Sequence, residues 1–238
     1  MTPPVASPDL SHVTTWVFDL DHTLYPSDAR VMSQVDVRMT DYVARALGLP
    51  RDEARIIQKN YWRDHGTTLN GLMANNQIGD GRDFLDFVHD IDLSVIDPDT
   101  LLAERIRALP GKRYVYTNGS MKHAENVCDR LGLTDCFDDM FDVEASGFAP
   151  KPLMAGFEKF SSRFDIQHRE ASFFEDSVRN LKTAHDLGWT TVLIRARPGP
   201  RDEESAGPGE HPDHVHFAAD CLKTFLGDAR TANSRSSS

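Results

Sequence analysis

Thr15-Trp16-Val17-Phe18-Asp19-Leu20-Asp21-His22-Thr23 decides how the rest of this 238-residue chain is read. The run through Phe18 is aromatic and β-branched, as suits a strand buried on both faces. It then changes to two carboxylates one residue apart with a hydroxyl close behind, and turn formers follow at Pro26 and Asp28. A buried strand that ends this way delivers charged groups to a loop, and such a loop is a candidate functional site.

Downstream, Val31, Val35, Met39, Tyr42, Val43 and Ala46 keep helical spacing until Gly48 ends the run. Residues 51–64, 68–76 and 81–90 continue as shorter helices with no strand among them. From Asp99 the pattern alternates: helix 99–108, strand 112–117, helix 120–131, strand 140–143, helix 152–163, strand 172–175, helix 178–187 and strand 190–194. Alternation of this kind predicts an α/β fold with a parallel sheet and helices on both faces. The isolated strand at 15–19 most simply joins that sheet, which makes the helical block an insertion after the first strand. The expected division is a core of residues 13–23 and 98–228 and a helical insert of 24–97. Residues 196–213 hold four prolines and three glycines and read as a long surface loop before a last strand-helix pair at 214–227. Residues 1–12 and 229–238 are expected to lack order.

The composition, 39% apolar and 26% charged, supplies a globular core. Lys and Arg number 26 against 37 Asp and Glu, and the net charge of −11 disfavours nucleic-acid polymers and anionic membranes as partners. Cys128, Cys136 and Cys221 are too few and too scattered for a disulfide framework, and buried thiols are expected. With no basic start leading into an apolar stretch and no run long enough to span a bilayer, the expectation is a cytoplasmic protein.

Ligands of open parallel sheets bind beyond the carboxyl ends of the strands. Four segments there stand out: Asp19-Leu20-Asp21-His22-Thr23, Thr117-Asn118-Gly119-Ser120, Lys151-Pro152, and Glu175-Asp176-Ser177 with Asn180 a turn later. Together they supply carboxylates for a hard divalent cation, a carboxylate nucleophile or acid, amides and hydroxyls for a phosphate, and a lysine to balance charge. Phosphoryl transfer needs that inventory, because a carboxylate attacking a phosphate dianion meets repulsion that a cation and a lysine reduce.

These four segments, in this order, resemble the motifs of the haloacid dehalogenase-like hydrolase superfamily, and the resemblance runs from residue 15 to about 226. It implies a Rossmann-like core with a helical cap inserted after the first motif. It also implies Asp19 as the nucleophile that forms an aspartyl-phosphate, and Asp21 as general acid and then base. Mg²⁺ is implied on the Asp19 carboxylate, the Asp21 backbone carbonyl and the Asp176 carboxylate. Thr117 and Asn118 are implied to hold phosphoryl oxygens, and Lys151 to bridge nucleophile and phosphate. The fourth motif departs from the frequent Gly-Asp-x-x-x-Asp form, with Glu175 before Asp176 and Asn180 at the later position. Leu24-Tyr25-Pro26 and His65-Gly66-Thr67-Thr68-Leu69-Asn70-Gly71-Leu72 further resemble the pyrimidine 5'-nucleotidase branch.

The expected activity is therefore a Mg²⁺-dependent phosphomonoester hydrolase acting on a small phosphorylated metabolite, a pyrimidine nucleoside monophosphate first, as a monomer or small homo-oligomer. Phosphoglycolate and a sugar phosphate are the alternative substrates. A dehalogenase ranks lower because it needs no acid two residues after the nucleophile and Asp21 is there, and a non-catalytic phosphate-binding regulator ranks lower because Asp19, Asp21 and Lys151 are all present. A phosphomutase, also ranked lower, differs in returning the phosphoryl group to the sugar rather than to water. Tyr61 and Asn70 are the candidate specificity residues. Tyr61 and Trp62 have a packing alternative, and Asn70 an alternative as a helix cap. His211, His214 and His216 suggest zinc but lack a cysteine or carboxylate at ligand spacing, so a structural reading is preferred.

Overall fold

The computed structural model describes residues 7–195 and 211–233. The strand read at 15–19 is β1 (Thr15–Phe18), and it lies in the middle of the sheet. On one side it pairs with β2 (Lys112–Tyr116), which pairs with β3 (Asp139–Phe141). On the other it pairs with β4 (Ala171–Glu175), followed by β5 (Thr190–Ile194) and β6 (Phe217–Ala219). All pairings are parallel and the order is β3-β2-β1-β4-β5-β6, so the direction of winding reverses between β1 and β4. That reversal opens a crevice at the strand ends, the usual ligand position of doubly wound sheets.

Side-chain alternation along the strands divides the core in two. Trp16, Phe18, Val115, Phe174, Val192 and Ile194 face α5 (Thr100–Arg107), α6 (Met121–Leu131) and α9 (Leu222–Asp228). Val17, Tyr114, Tyr116, Phe173 and Leu193 face α7 (Met154–Arg163) and α8 (Val178–Asp186). Helix α7 seats closely because Gly156 has no side chain: a Cβ there would lie 2.3 Å from the Ala149 carbonyl oxygen and 2.6 Å from Tyr116 Oη. Between β1 and α5 the chain forms α1 (Val31–Leu47), α2 (Arg51–His65), α3 (Thr68–Ala74) and α4 (Gly81–Val88), with no strand. These helices share a third apolar cluster around Val35, Val43, Leu72, Phe84 and Val88. Asp80 and Thr67 cap α4 and α3 with side-chain oxygens, as the turn chemistry before each helix requires.

The expectation that 1–12 and 229–238 lack order fails for the described residues near both ends. Asp9 and Arg230 form a parallel bridge, Leu10 N–H donates to the Arg230 carbonyl at 2.8 Å, and Leu10 is fully buried. Leu10 and Ala229 join the apolar cluster of the α5/α6/α9 face, surface that a composition-based reading of polar, turn-rich ends overlooks. Residues 1–6 and 234–238, and 196–210 of the expected surface loop, lie outside the described residues. Cys128 and Cys136 are buried free thiols, whereas Cys221 is half-buried rather than buried. No helix among the described residues is long and apolar enough to cross a membrane.

Candidate active site

Strand register builds the site. Phe18 of β1 is level with Val115 of β2 and Phe174 of β4, so the next residues, Asp19, Tyr116 and Glu175, end three adjacent strands at one level. The Asp19 N–H donates to the Phe174 carbonyl at 2.9 Å and extends the ladder by one bond. Lys151, from the crossover between β3 and β4, places its Nζ among these ends. It donates to Asp19 Oδ1 at 2.6 Å, the Tyr116 carbonyl at 2.8 Å and Glu175 Oε2 at 2.8 Å. An ammonium has three donors, and all three are used.

Glu175 is equally committed. Its Oε1 accepts the N–H groups of Asp176 and Ser177, both at 3.1 Å, and its Oε2 accepts from Lys151 and from Asn180 Nδ2 at 3.0 Å. Four donors use the acceptor sites of this buried carboxyl, while burial and the neighbouring Asp19 push its pKa well above the ordinary carboxylate value against the pull of Lys151. The departure of the fourth motif thereby acquires a physical meaning: Glu175 holds Lys151, and Asn180 holds Glu175. Asn118 fixes the same lysine by its backbone, with Nδ2 donating to the Lys151 carbonyl at 3.0 Å and Oδ1 accepting its N–H at 2.7 Å. The Asn118 side chain is thus engaged with Lys151 rather than left open for a phosphate. Thr117 Oγ1 accepts the Gly119 N–H at 2.9 Å, which leaves its hydroxyl proton to donate.

Asp21 points into a different set of contacts. Its Oδ1 accepts from Tyr25 Oη at 2.5 Å and lies 2.9 Å from His123 Nε2. Burial alone would raise the Asp21 pKa, but His123 and Tyr25 hold it far below the usual carboxylate range. Asp19 moves the other way. Burial pushes it up to about 6 against the pull of Lys151, with Asp176 and Asp21 adding to the rise. One oxygen each of Asp19, Glu175 and Asp176 lie within 4.8 Å of one another, and His22 Nδ1 is 3.3 Å from Asp176 Oδ2. Three clustered carboxylates facing one lysine leave an excess of negative charge that suits a hard cation. With Glu175 saturated, Asp19 and Asp176 are the carboxylates with oxygens to offer.

A family model for haloacid dehalogenase-like hydrolases matches residues 13–188. The chain belongs to the haloacid dehalogenase-like hydrolase family. Phosphate metabolism protein 8 of Saccharomyces cerevisiae is 26% identical over 241 aligned residues, covering 94% of this chain and 74% of that protein. A HAD phosphatase from Thermococcus onnurineus superposes with a TM-score of 0.57 at 20% identity, covering 92% of this chain and all of that one. L-2-haloacid dehalogenase from Xanthobacter autotrophicus superposes with a TM-score of 0.53 at 15% identity, covering 90% of this chain and 97% of that one. A haloacid dehalogenase-like fold therefore serves both a phosphatase and a dehalogenase, and the fold alone does not decide between them.

The residues expected to set specificity, Tyr61 and Asn70, make side-chain hydrogen bonds to Gln77 and Phe148. Tyr61 packs across Gly71, whose Cβ would lie 2.3 Å from the Tyr61 side chain, and its hydroxyl donates to Gln77 Oε1 at 2.8 Å. Tyr61 is thus engaged in packing the helical segment. Asn70 lies on α3 and donates through Nδ2 to the Phe148 carbonyl at 3.3 Å, tying α3 to the loop that leads to Lys151. The three histidines read as structural make separate contacts with nearby chain. His214 Nε2 lies 2.9 Å from the Val178 carbonyl, His216 Nδ1 accepts the Thr191 N–H at 3.0 Å, and His211 Nδ1 lies 3.4 Å from the Pro212 carbonyl. Sequence reasoning missed Tyr25, His123 and the bracing of Lys151 by Asn118. Tyr25 stands one turn after Asp21, a spacing that offered a signal. His123 offered none beyond following Thr117-Asn118-Gly119 into a helix.

Proposed function

We propose that the chain is a Mg²⁺-dependent phosphomonoester hydrolase that works through an aspartyl-phosphate on Asp19. The observation that carries this reading is the pairing of a lysine-anchored Asp19 with a second carboxylate, Asp21, in its own hydrogen-bonded setting. A dehalogenase attacking carbon needs neither that second carboxylate nor a carboxylate cluster for metal. Asp19, Asp176 and the Asp21 backbone carbonyl would hold Mg²⁺, which when bound supplies positive charge against the nucleophile and phosphoryl oxygens.

An Asp19 oxygen attacks phosphorus as the ester P–O bond breaks, and the leaving alkoxide takes a proton from Asp21. Water then attacks the aspartyl-phosphate, gives a proton to Asp21, and releases inorganic phosphate and the Asp19 carboxylate. His123 and Tyr25 keep Asp21 ionised before substrate binds. The arriving phosphate charge raises the Asp21 pKa, so that Asp21 takes up from solvent the proton it then passes to the leaving alkoxide. Thr117 contributes its hydroxyl proton to a phosphoryl oxygen. Lys151, with its donors used, acts on the phosphate through its charge.

The resemblance of Leu24-Tyr25-Pro26 and of 65–72 to the pyrimidine 5'-nucleotidase branch makes UMP and CMP the proposed substrates. Asn70 supports this reading: among the described residues its Oδ1 has no hydrogen-bond partner, so the amide has an acceptor left for a pyrimidine edge. The test is a phosphate-release screen over UMP, CMP, AMP, GMP, phosphoglycolate and sugar phosphates, with Mg²⁺ and in chelator. Mg²⁺-dependent release with higher kcat/KM on UMP and CMP is expected. Better rates on purines or phosphoglycolate overturn the pyrimidine reading alone. No release from any ester, with chloride released from a 2-chloro acid, overturns the phosphatase reading.

A further inference from the structure

His123 is the third residue of α6, and its side chain is 1% exposed. A buried imidazole has to place its ring nitrogens, and this one places Nε2 2.9 Å from Asp21 Oδ1. Tyr25 Oη donates to that same oxygen. Among the described residues Oδ2 of Asp21 has no hydrogen-bond partner. Two partners on one oxygen fix the plane of the carboxyl and leave the other oxygen to carry a proton.

The imidazole is itself braced. Its backbone N–H donates to Ser120 Oγ at 3.3 Å, and Ser120 Oγ lies 3.1 Å from Nδ1 of His89, the residue that follows α4. The His89 ring stacks on His123 with centroids 4.3 Å apart and planes 13° from parallel. Burial and the neighbouring His123 push the His89 pKa down to about 3, so His89 is neutral and can stack without a second charge. Gly119 makes room for both rings: a Cβ there would lie 3.2 Å from His123 Cδ2 and 3.6 Å from His89 Nε2.

We infer that His123 is a positioning residue for Asp21: braced by His89 and Ser120, it orients the carboxyl so that Oδ2 meets the leaving oxygen. The inference rests on the acid/base role proposed for Asp21. A misplaced acid harms most the reactions whose leaving groups need a proton, and least those whose leaving groups depart unaided. A residue that only stabilises the fold lowers both alike.

The experiment measures kcat/KM for β-glycerophosphate and for p-nitrophenyl phosphate, together with Tm, in the wild type, His123→Phe, His123→Gln and Asp21→Asn. His123→Phe keeps a stacking ring and loses Nε2, while His123→Gln restores an N–H donor at similar reach. The expected result for His123→Phe is a loss of about 10²-fold on the alkyl ester and under about fivefold on the aryl ester, with His123→Gln recovering most of the alkyl rate. Equal losses on both esters, no loss, or a His123→Gln enzyme that behaves like His123→Phe overturns the inference. If Asp21→Asn itself slows both esters equally, the acid/base reading fails. If Asp21→Asn separates the esters and His123→Phe does not, only the positioning role fails. Should His123→Phe not fold, Tyr25→Phe removes the other donor to Oδ1 and must show the same separation, and its absence overturns the inference.

Discussion

Lys151→Met gives the sharpest test of how the site is held together. The substitution keeps an unbranched chain among the Tyr116 and Phe173 rings, which lie 5.3 and 5.2 Å from Nζ, so the main loss is charge. Burial would lower the Lys151 pKa, but Asp19 and Glu175 hold it above the ordinary lysine value, so the ammonium stabilises the fold throughout the neutral range. Removing one partner of a buried ion pair costs about 3–5 kcal/mol. At about 2 cal/mol/K per residue, a 238-residue chain unfolds with about 0.5 kcal/mol per degree, so Tm falls by about 6–10 °C. The loss depends on pH in a definite direction. Asp19 titrates at about 6 even beside the lysine, and without it Asp19 and Glu175 move higher still. At pH 5 they then take up protons, and the loss shrinks to about half or less. Thermal unfolding followed by circular dichroism at pH 7.5 and 5.0, in chelator, measures both quantities. A fall of under about 2 °C at pH 7.5, or an equal fall at both pH values, refutes the reasoning.

Asp19→Asn removes the proposed nucleophile and should abolish phosphate release. In chelator its Tm relative to the wild type should rise between pH 4 and pH 7.5, because burial raises the Asp19 pKa above the ordinary carboxylate value and its charge costs stability only as it ionises; an equal Tm difference at both pH values would count against the buried charge. Asp176→Ala should raise the Mg²⁺ concentration for half-maximal activity at least about tenfold, as a hard cation loses an anionic oxygen. Glu175→Gln should move that concentration far less, since four donors already occupy Glu175, and a larger shift for Glu175→Gln would assign the metal differently.

The strands and helices were legible because their signals are local. Trp16-Val17-Phe18 ends at a carboxylate, Gly48 stops α1, and Thr117-Asn118-Gly119 leads into a capped helix; each is a property of a few neighbouring residues. The contacts that were not legible join distant segments. His123 and Asp21 are 102 residues apart, and Lys151 and Asp19 are 132 apart. Whether such pairs meet depends on strand register and helix placement, which no local pattern encodes. The Lys-Pro segment identified a cation near a strand end but not that its three donors would be used. The chain ends were misread for a related reason: Leu10 is one apolar residue among turn formers, and only the α5/α6/α9 face gives it a place to be buried.

The position of Lys151 follows from the winding. The crossover from β3 to β4 carries the chain from one edge of the sheet past β2 and β1, and Lys151 lies on that crossover. Its three acceptors belong to β2, to β4 and to the residue following β1, the strands that meet around the reversal. Successive residues along a strand are about 3.3 Å apart. A slip of one residue in either pairing would therefore carry an acceptor out of hydrogen-bond reach of Nζ and turn a carboxylate to the opposite face. The same ammonium that neutralises the proposed nucleophile thus favours the one register in which that nucleophile is correctly placed. Stability and chemistry are coupled at this residue, whereas Asp21, held by Tyr25 and His123 beyond the sheet, can be altered with little effect on register.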